Sequence, residues 1–166
     1  MPADLHIRLA VPDDLKTVVA IYNQTIPGRV ATAQLQPVTV DERRDWFAGH
    51  TPDRRPMWVA EDSGGVVAWV GLTDFHARAA YAATAQISIY LDEAMRGRGL
   101  GGRLLDHAIR ASPAAGVAAL VGLVFAHNAP SLALFESRGF ARWGHMPRVA
   151  DMDGVLRDLV HVGRHV

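Results

Sequence analysis

A glycine- and arginine-rich turn is the segment of this sequence whose residue types and spacing most directly indicate chemistry. It runs from Arg96 to Arg103, with glycine at four of its eight positions and arginine at three. It lies between a predicted strand and a predicted helix, where unpaired backbone amides point outward and glycines let a ligand approach the backbone closely. The turn therefore predicts a site for a phosphate-bearing ligand, and the arginines add positive charge.

Two common phosphate-binding patterns fit this turn poorly. Gly97, Gly99 and Gly102 match the spacing of the dinucleotide fingerprint, but that fingerprint requires an acidic residue about 20 residues on, at the end of the next strand. The next predicted strand ends at Phe125 and carries no acid there. A P-loop is excluded because the sequence contains no Gly-Lys-Ser or Gly-Lys-Thr. A nucleotide-dependent oxidoreductase stays a distant alternative.

Hydrophobic periodicity and turn residues predict the elements that would position this turn. Strands are predicted at His6–Ala10, Trp58–Glu61, Val66–Leu72, Thr84–Leu91 and Val117–Phe125, with two more between Phe140 and Val166 around a turn at Asp151–Gly154. Helices are predicted from Pro12 to about Tyr22, over Thr39–Ala48, directly after the glycine-rich turn, and from Asn128 to Gly139. The order βααβββαβαββ predicts one α/β (α+β) domain over residues 1–166, with a mixed sheet.

Composition and charge exclude several classes of function. Lys plus Arg and Asp plus Glu both number 17, and this balance argues against a dedicated nucleic-acid binder. The absence of cysteine removes disulfides and thiolate chemistry and fits a reducing cytoplasm. The eight histidines show no metal-ligand spacing, so no metal site is predicted. The longest apolar run, Ala114–Ala126, is shorter than the ~20 residues that span a bilayer, and Met1–His6 lacks the pattern of a signal peptide.

Several blocks of the sequence resemble one known family. Arg96-x-x-Gly99-x-Gly101 is similar to the pyrophosphate loop of the GNAT acetyltransferase superfamily, and the segment from Asn128 to Phe140 resembles the one that follows the next strand there. Further blocks look like the phosphinothricin and methionine-sulfoximine N-acetyltransferase branch: Ile7-Arg8 with Asp14-Leu15, Ile21-Tyr22-Asn23, Val59-Ala60-Glu61, Ile87–Leu91, and Gly144–Val149 with Asp158-Leu159. The resemblance covers about Leu5 to His161.

This resemblance implies a fold, a reaction and a cofactor. The implied fold is a mixed, mostly antiparallel sheet of six to seven strands flanked by about four helices. The implied reaction moves an acetyl group from acetyl-CoA to the amine of a small molecule, which could be amino-acid-like. The pantetheine arm would follow a strand that splays from its neighbour, and the pyrophosphate would lie on the glycine-rich turn. The implied cofactor residues are Ile89, Tyr90, Leu91, Arg96, Gly97, Arg98, Gly99, Leu100, Gly101, Gly102, Arg103, Asn128 and Ser131.

Two positions that transfer protons in that branch carry unusual residues here. Gln86 stands where relatives have a glutamate, and glutamine can hydrogen-bond an amine or a water but cannot take its proton. Phe135 stands where relatives have a tyrosine or histidine near the leaving sulfur. We therefore predict that Gln86 positions the acceptor, with Tyr90 on the same strand face as a candidate for a proton relay. The alternative is a catalytically weak domain that senses acetyl-CoA or CoA.

The resemblance also has implications for how the acceptor is bound and for the partners of the protein. Phe75 and Tyr81 are candidates for pocket walls. Relatives tend to carry an arginine just after the aromatic at the position of Tyr81, where it is suited to bind a carboxylate. This sequence has Ala82-Ala83 there, and Arg78 is the nearby residue that could substitute. Members of the branch are commonly dimers, which makes a homodimer possible. We expect a cytoplasmic protein with neither nucleic acid nor membrane as a partner.

Overall fold

Seven strands and four helices form the protein in a computed structural model that describes residues 5–166. The strands are β1 (His6–Leu9), β2 (Met57–Asp62), β3 (Gly65–Asp74), β4 (Thr84–Leu91), β5 (Ala119–Phe125), β6 (Ala141–Met152) and β7 (Val155–His165). The helices are α1 (Leu15–Gln24), α2 (Val40–Ala48), α3 (Leu100–Ala111) and α4 (Ala129–Glu136). The predicted order and α/β (α+β) class are confirmed. Residues 1–4, on which the signal-peptide prediction partly rests, lie outside the described residues.

The sheet has the strand order β1-β2-β3-β4-β5-β7-β6. The neighbouring strands β4 and β5 pair over only part of their length. Of the six strand pairings within residues 5–166, only β4 with β5 is parallel. That pairing joins Thr84–Gln86 to Ala119–Val121 and then stops. Beyond it, β4 continues to pair with β3 on its other side as far as Leu91. The edge of β4 that faces β5 is therefore unpaired over residues 87–91, and its backbone groups need other partners.

The two faces of the sheet are covered differently. On one face, α3 buries Leu104 and Leu105 in the main core, together with Ile87 of β4. On the other face, α1 covers a smaller cluster that includes Trp69, whose Nε1 donates to the Val18 carbonyl at 3.1 Å. Because side chains alternate along a strand, the positions in β4 between the core residues face the α1–α2 side. The strand thus carries core packing on one face and polar groups on the other.

Several element bounds differ by one to three residues from the sequence prediction, and two differences affect the local backbone. Strand β5 begins at Ala119 rather than Val117, because a short 3₁₀ turn over Ser112–Ala115 ends at Gly116 with a φ of 72°. The β6–β7 turn is tighter than predicted, since Met152 pairs with Val155. Only Asp153-Gly154 remain in that turn, with φ values of 56° and 85°, as in a two-residue hairpin turn.

The described chain shows neither a membrane-spanning helix nor a cluster of metal ligands. Within residues 5–166, each helix is too short or too polar to cross a bilayer. Over the same range, His, Asp and Glu side chains do not gather in threes in a way that could hold a metal ion.

Candidate active site

A row of free backbone donors lies at the start of α3. The six successive amides from Gly97 to Gly102 have no acceptor among residues 5–166, and the first bond of the helix runs from the Arg103 N–H to the Gly99 carbonyl at 3.3 Å. Gly97 and Gly99 have φ values of 73° and 76°, and the space around their Cα atoms is open. Glycine adopts this left-handed backbone readily. The turn therefore presents its amides outward at the positive end of a helix dipole.

Exposed arginines surround these amides. Arg96, Arg98 and Arg103 all lie at the surface of the turn. Arg103 donates to the Leu5 carbonyl through Nη2 at 3.4 Å. Free amides and nearby guanidinium groups together favour an anion with several oxygens, such as a pyrophosphate.

Three other residues of the turn, Leu100, Gly101 and Gly102, can offer a ligand their backbone amides but no side chain. The Leu100 side chain is buried in the main core. A Cβ at Gly101 would lie 3.3 Å from Leu134, so that glycine fits the packing of α3 against α4. The guanidinium of Arg138 packs against α3 at Gly102 and occupies the space that a Cβ there would need. A side chain at either glycine would have to displace Leu134 or Arg138, while both backbone amides stay available to a ligand.

The gap between β4 and β5 is bordered by the other residues predicted for the cofactor. Ile89 and Leu91 pack their side chains toward the main core, while their backbone belongs to the unpaired edge of β4. The Asn128 side chain caps α4 by accepting from the Ser131 N–H at 3.2 Å, and its Nδ2 lies 3.3 Å from the Val30 carbonyl. Asn128 is thus both a helix cap and a tie to the α1–α2 loop.

A cavity of about 250 Å³ lies on the α1–α2 side of the sheet. Gln86, Ser88 and Tyr90 of β4 line it. The ring centroids of Tyr90 and Trp69 are 4.8 Å apart, and Tyr22 meets Tyr90 edge-on at 5.1 Å. Ser88 and Tyr90 alternate along β4 with Ile87, Ile89 and Leu91, whose backbone groups face the side of β5, so the cavity and the gap adjoin this part of the strand. A ligand in the gap and a second molecule in the cavity would meet there.

Two titratable groups of the cavity, Tyr90 and His50, are held in their neutral forms. Burial, reinforced by the neighbouring Tyr22, raises the pKa of Tyr90, so its phenol stays protonated at neutral pH. Burial lowers the pKa of His50, against the opposing effect of the Arg55 and Leu72 carbonyls. The His50 Nδ1 lies 3.1 Å from the Arg55 carbonyl oxygen, which can only accept, so Nδ1 carries the hydrogen. The described lining contains no carboxylate.

The residues predicted for the acceptor lie elsewhere. Phe75, Arg78 and Tyr81 are exposed on the loop between β3 and β4 and do not line the cavity. The rings of Phe75 and Tyr81 meet edge-on at 5.9 Å, and the Arg78 amide donates to the His76 Nδ1 at 3.3 Å. Their role in binding an acceptor stays a prediction.

Sequence reasoning missed the residues that α2 and the segment directly after it contribute to the cavity. Arg43, Trp46 and His50 all line it. Arg43 and Trp46, three residues apart, lie on one face of α2, and His50 follows the end of that helix at Ala48. That spacing was a usable signal, but nothing local indicated which face would meet the sheet.

Phe135 is a core residue whose ring ends at the gap. It is 3% exposed and meets Phe140 edge-on at 5.0 Å. A Cβ at Gly122 would lie 3.2 Å from the Phe135 Cζ. Gly122 is the first residue of β5 beyond its pairing with β4, so the para position of the ring points at the start of the gap.

Comparison with known proteins agrees with this geometry. Residues 16–140 match the model of the acetyltransferase (GNAT) family. A Bacillus subtilis protein provisionally named a phosphinothricin acetyltransferase is 50% identical over 98% of this chain and 99% of its own length. An L-methionine sulfoximine/L-methionine sulfone acetyltransferase of Pseudomonas aeruginosa is 32% identical over 92% of this chain and 90% of its own.

A solved structure extends the agreement to the cofactor. A phosphinothricin acetyltransferase from Sinorhizobium meliloti, crystallised in complex with acetyl-CoA, superposes with a TM-score of 0.91 at 28% identity. The match covers 98% of this chain and 88% of that one. These relatives give no support to a sensor without chemistry. The chain therefore belongs to the acetyltransferase (GNAT) family and is an acetyl-CoA-dependent N-acetyltransferase.

Proposed function

We propose that the chain acetylates the α-amino group of a small amino-acid-like compound bound in the cavity. The observation that carries this proposal is the cavity itself, which at Ser88 and Tyr90 adjoins the stretch of β4 that no longer pairs with β5. Its volume of about 250 Å³ is below the roughly 300–1,000 Å³ of pockets for drug-sized ligands. The named substrates of two relatives, phosphinothricin and methionine sulfoximine, support an amino-acid-like acceptor.

The gap between β4 and β5 is the place we propose for acetyl-CoA. The fit rests on the unpaired backbone of residues 87–91 and on the six free amides of the turn. The amides and the nearby arginines would hold the pyrophosphate, and the edge of β4 would pair with the pantetheine amides. When bound, acetyl-CoA supplies the activated acetyl group and a thiolate leaving group whose conjugate thiol has a pKa near ~8.5. The residues we assign to this site are Ile89, Tyr90, Leu91, Arg96, Gly97, Arg98, Gly99, Leu100, Gly101, Gly102, Arg103, Asn128 and Ser131.

The cavity would orient a neutral amine rather than deprotonate an ammonium group. Gln86 offers an amide oxygen that can accept a hydrogen bond from the amine, and Tyr90 offers a phenol that stays protonated. Neither group is an ionised base at neutral pH. His50 is a neutral imidazole of the same lining. We propose that the amine loses its proton to water before attack, so the rate rises with pH until the acceptor is neutral.

Gln86 can be tested by a pair of substitutions. We expect Gln86→Ala to lower kcat/KM for the acceptor by about tenfold, because one orienting hydrogen bond contributes roughly 1.5 kcal/mol. Gln86→Glu should retain or raise activity above pH 7, since a carboxylate accepts both the hydrogen bond and the proton. Steady-state kinetics with a fixed acetyl-CoA concentration measures both. Normal kcat/KM in the alanine variant would show that Gln86 has no positioning role.

Phe135→Tyr tests whether this position lacks a needed acid. The added hydroxyl would lie at Gly122, where the gap begins. A thiolate can leave near neutral pH without a dedicated acid, so we expect kcat to change by less than about tenfold. The measurement is kcat against pH for both forms with one acceptor. A gain of several hundredfold would instead show that the parent protein is short of a proton donor.

A turnover screen tests the proposed substrate class. Release of the CoA thiol is followed with acetyl-CoA and a panel of amino acids, amino-acid analogues, polyamines and simple alkylamines. We expect turnover with compounds that carry a carboxylate next to the amine. Turnover restricted to polyamines or alkylamines would contradict the proposal and leave the N-acetyltransferase activity itself intact.

We also propose a homodimer formed through the β6–β7 hairpin. Five large apolar side chains on these two strands are between 42% and 53% exposed, and apolar patches of this kind mark interfaces. They are Trp143, Met146, Val149, Val155 and Leu156. A single monomeric species in sedimentation velocity at micromolar concentration would contradict the dimer. We further propose that residues 1–166 form one domain and that the enzyme is cytoplasmic, without nucleic acid or membrane as a partner. The zero net charge and the absence of cysteine support this location and the absence of such partners.

A further inference from the structure

Arg43 is a cation with free donors at the cavity. It is the only Arg, Lys, Asp or Glu side chain of the described lining. Its guanidinium carbon lies 5.2 Å from the Tyr22 ring centroid and 5.3 Å from that of Trp46. Within residues 5–166, neither a carboxylate nor any other acceptor lies at hydrogen-bonding distance from its nitrogens.

The neighbouring residue on α2 shows the contrast. Arg44 points to the surface and pairs with Asp41 at 2.9 Å, with both side chains more than half exposed. Arg43 instead rests on two aromatic rings, which accept a cation on their faces but leave its N–H groups unpaired. A guanidinium presents these donors in a planar fork that matches a carboxylate with two bonds. The wall of the cavity formed by Arg43 is therefore suited to bind an anionic group.

We infer that Arg43 binds the carboxylate of the acceptor and so selects amino-acid-like compounds over plain amines. This inference rests on the proposed acetylation of an α-amino group. Arg43 lies on α2, whereas Gln86 and Ser88 reach the cavity from β4, so a molecule fixed at Arg43 can present its amine to the other wall. Arg78, the candidate from the sequence, is exposed outside the cavity and offers no such arrangement.

The test compares two acceptors that differ only in the carboxylate. The first is the best α-amino acid from the screen, and the second is its carboxamide. For Arg43→Gln we expect kcat/KM for the amino acid to fall by about 30- to 100-fold, mostly through KM, since a charge-assisted pair is lost. The carboxamide should change by less than threefold, and KM for acetyl-CoA should not change. Arg43→Lys should recover part of the loss.

Two matched variants complete the design. Arg44→Gln removes the adjacent cation on the same helix and should leave both acceptors unaffected. Arg78→Gln tests the carboxylate-binding residue that the sequence suggested. A selective loss for the amino acid in Arg78→Gln, or none in Arg43→Gln, would overturn the inference. An equal loss for both acceptors in Arg43→Gln would assign Arg43 a purely structural role in holding Tyr22 and Trp46.

A binding measurement separates failure of this inference from failure of the proposed function. Calorimetric titration of the amino acid and its carboxamide into the protein saturated with CoA does not depend on turnover. We expect the parent to prefer the amino acid and Arg43→Gln to lose that preference. If Arg43→Gln still preferred the amino acid over its carboxamide, the proposed role of Arg43 would be wrong. If the parent showed this preference and Arg43→Gln lost it, but neither compound were turned over, the result would count only against acetylation of these compounds.

Discussion

Replacing Gly99 with aspartate is expected to raise the Kd for acetyl-CoA by about 100-fold, because a carboxylate near the pyrophosphate costs roughly 3 kcal/mol at a separation of about 5 Å. Gly99 lies at the N-terminal boundary of α3, beside the six free amides. Its φ of 76° is a conformation that aspartate tolerates better than most residues, and a Cβ there meets no atom within 4 Å. The measurement is calorimetric titration of acetyl-CoA.

Gly99→Asn is the matched control for this prediction. Asparagine has the same shape, tolerates the same backbone and can cap the same helix, but it adds no charge. We expect its Kd to rise by no more than about tenfold. Equal Kd values for the two variants would remove the electrostatic basis for placing pyrophosphate on this turn. Gly101 would be a poorer choice, because its Cβ would contact Leu134 and Leu91 and disturb the packing of α3.

Local sequence patterns were sufficient to predict the elements that position the site. The alternation over Thr84–Leu91 separates core residues from Gln86, Ser88 and Tyr90, and the structure places the two sets on opposite faces of the sheet. The glycine-rich turn was predicted to begin a helix, and Leu100 is the first residue of α3. These predictions succeed because strand alternation and helix starts depend on residues close together in the chain.

The shape of the cavity depends on contacts that no local pattern records. The α1–α2 loop is held by His127, whose Nε2 lies 3.1 Å from the Arg29 carbonyl, and by Asn128 at Val30. Each contact joins residues 98 positions apart. A lone histidine and a helix cap give no sign of such partners before the fold is known. For the same reason the sequence pointed to Arg78, while the fold brought Arg43 to the cavity.

One block of the family resemblance, Ile7-Arg8 with Asp14-Leu15, proves to be structural. The guanidinium of Arg8 contacts both oxygens of Asp14, at 2.7 and 3.0 Å, and reaches Glu61 at 2.8 Å. Asp14 also accepts from the Val11 amide at 2.8 Å and is 7% exposed. Arg8 therefore joins β1, the start of α1 and β2 into one network of ion pairs.

Removing this arginine should cost much of the stability of the fold. We expect Arg8→Met to lower the free energy of unfolding at pH 7 by about 2–4 kcal/mol, because it leaves the Asp14 carboxylate buried without its cation. Arg44→Met is the matched control: its pair with Asp41 is exposed, so we expect a loss below about 1 kcal/mol. Urea unfolding followed by tryptophan fluorescence measures both. Equal losses in the two variants would show that the Arg8 network contributes no more than a surface ion pair.

The pH dependence of that loss identifies its cause. Burial favours the neutral acid, yet the hydrogen bonds from Arg8 and the Val11 amide hold the pKa of Asp14 below its usual value. A depressed carboxyl pKa stabilises the fold above the unfolded pKa of about 3.9, and this contribution disappears as the pH falls through the folded pKa. Without Arg8, burial should raise the pKa of Asp14 instead, so the variant can protonate it in mild acid. The difference in unfolding free energy between parent and Arg8→Met should therefore shrink steadily from pH 7 toward pH 4. A difference that stays constant over this range would mean that the variant is destabilised by lost packing of the arginine side chain and not by the uncompensated charge of Asp14.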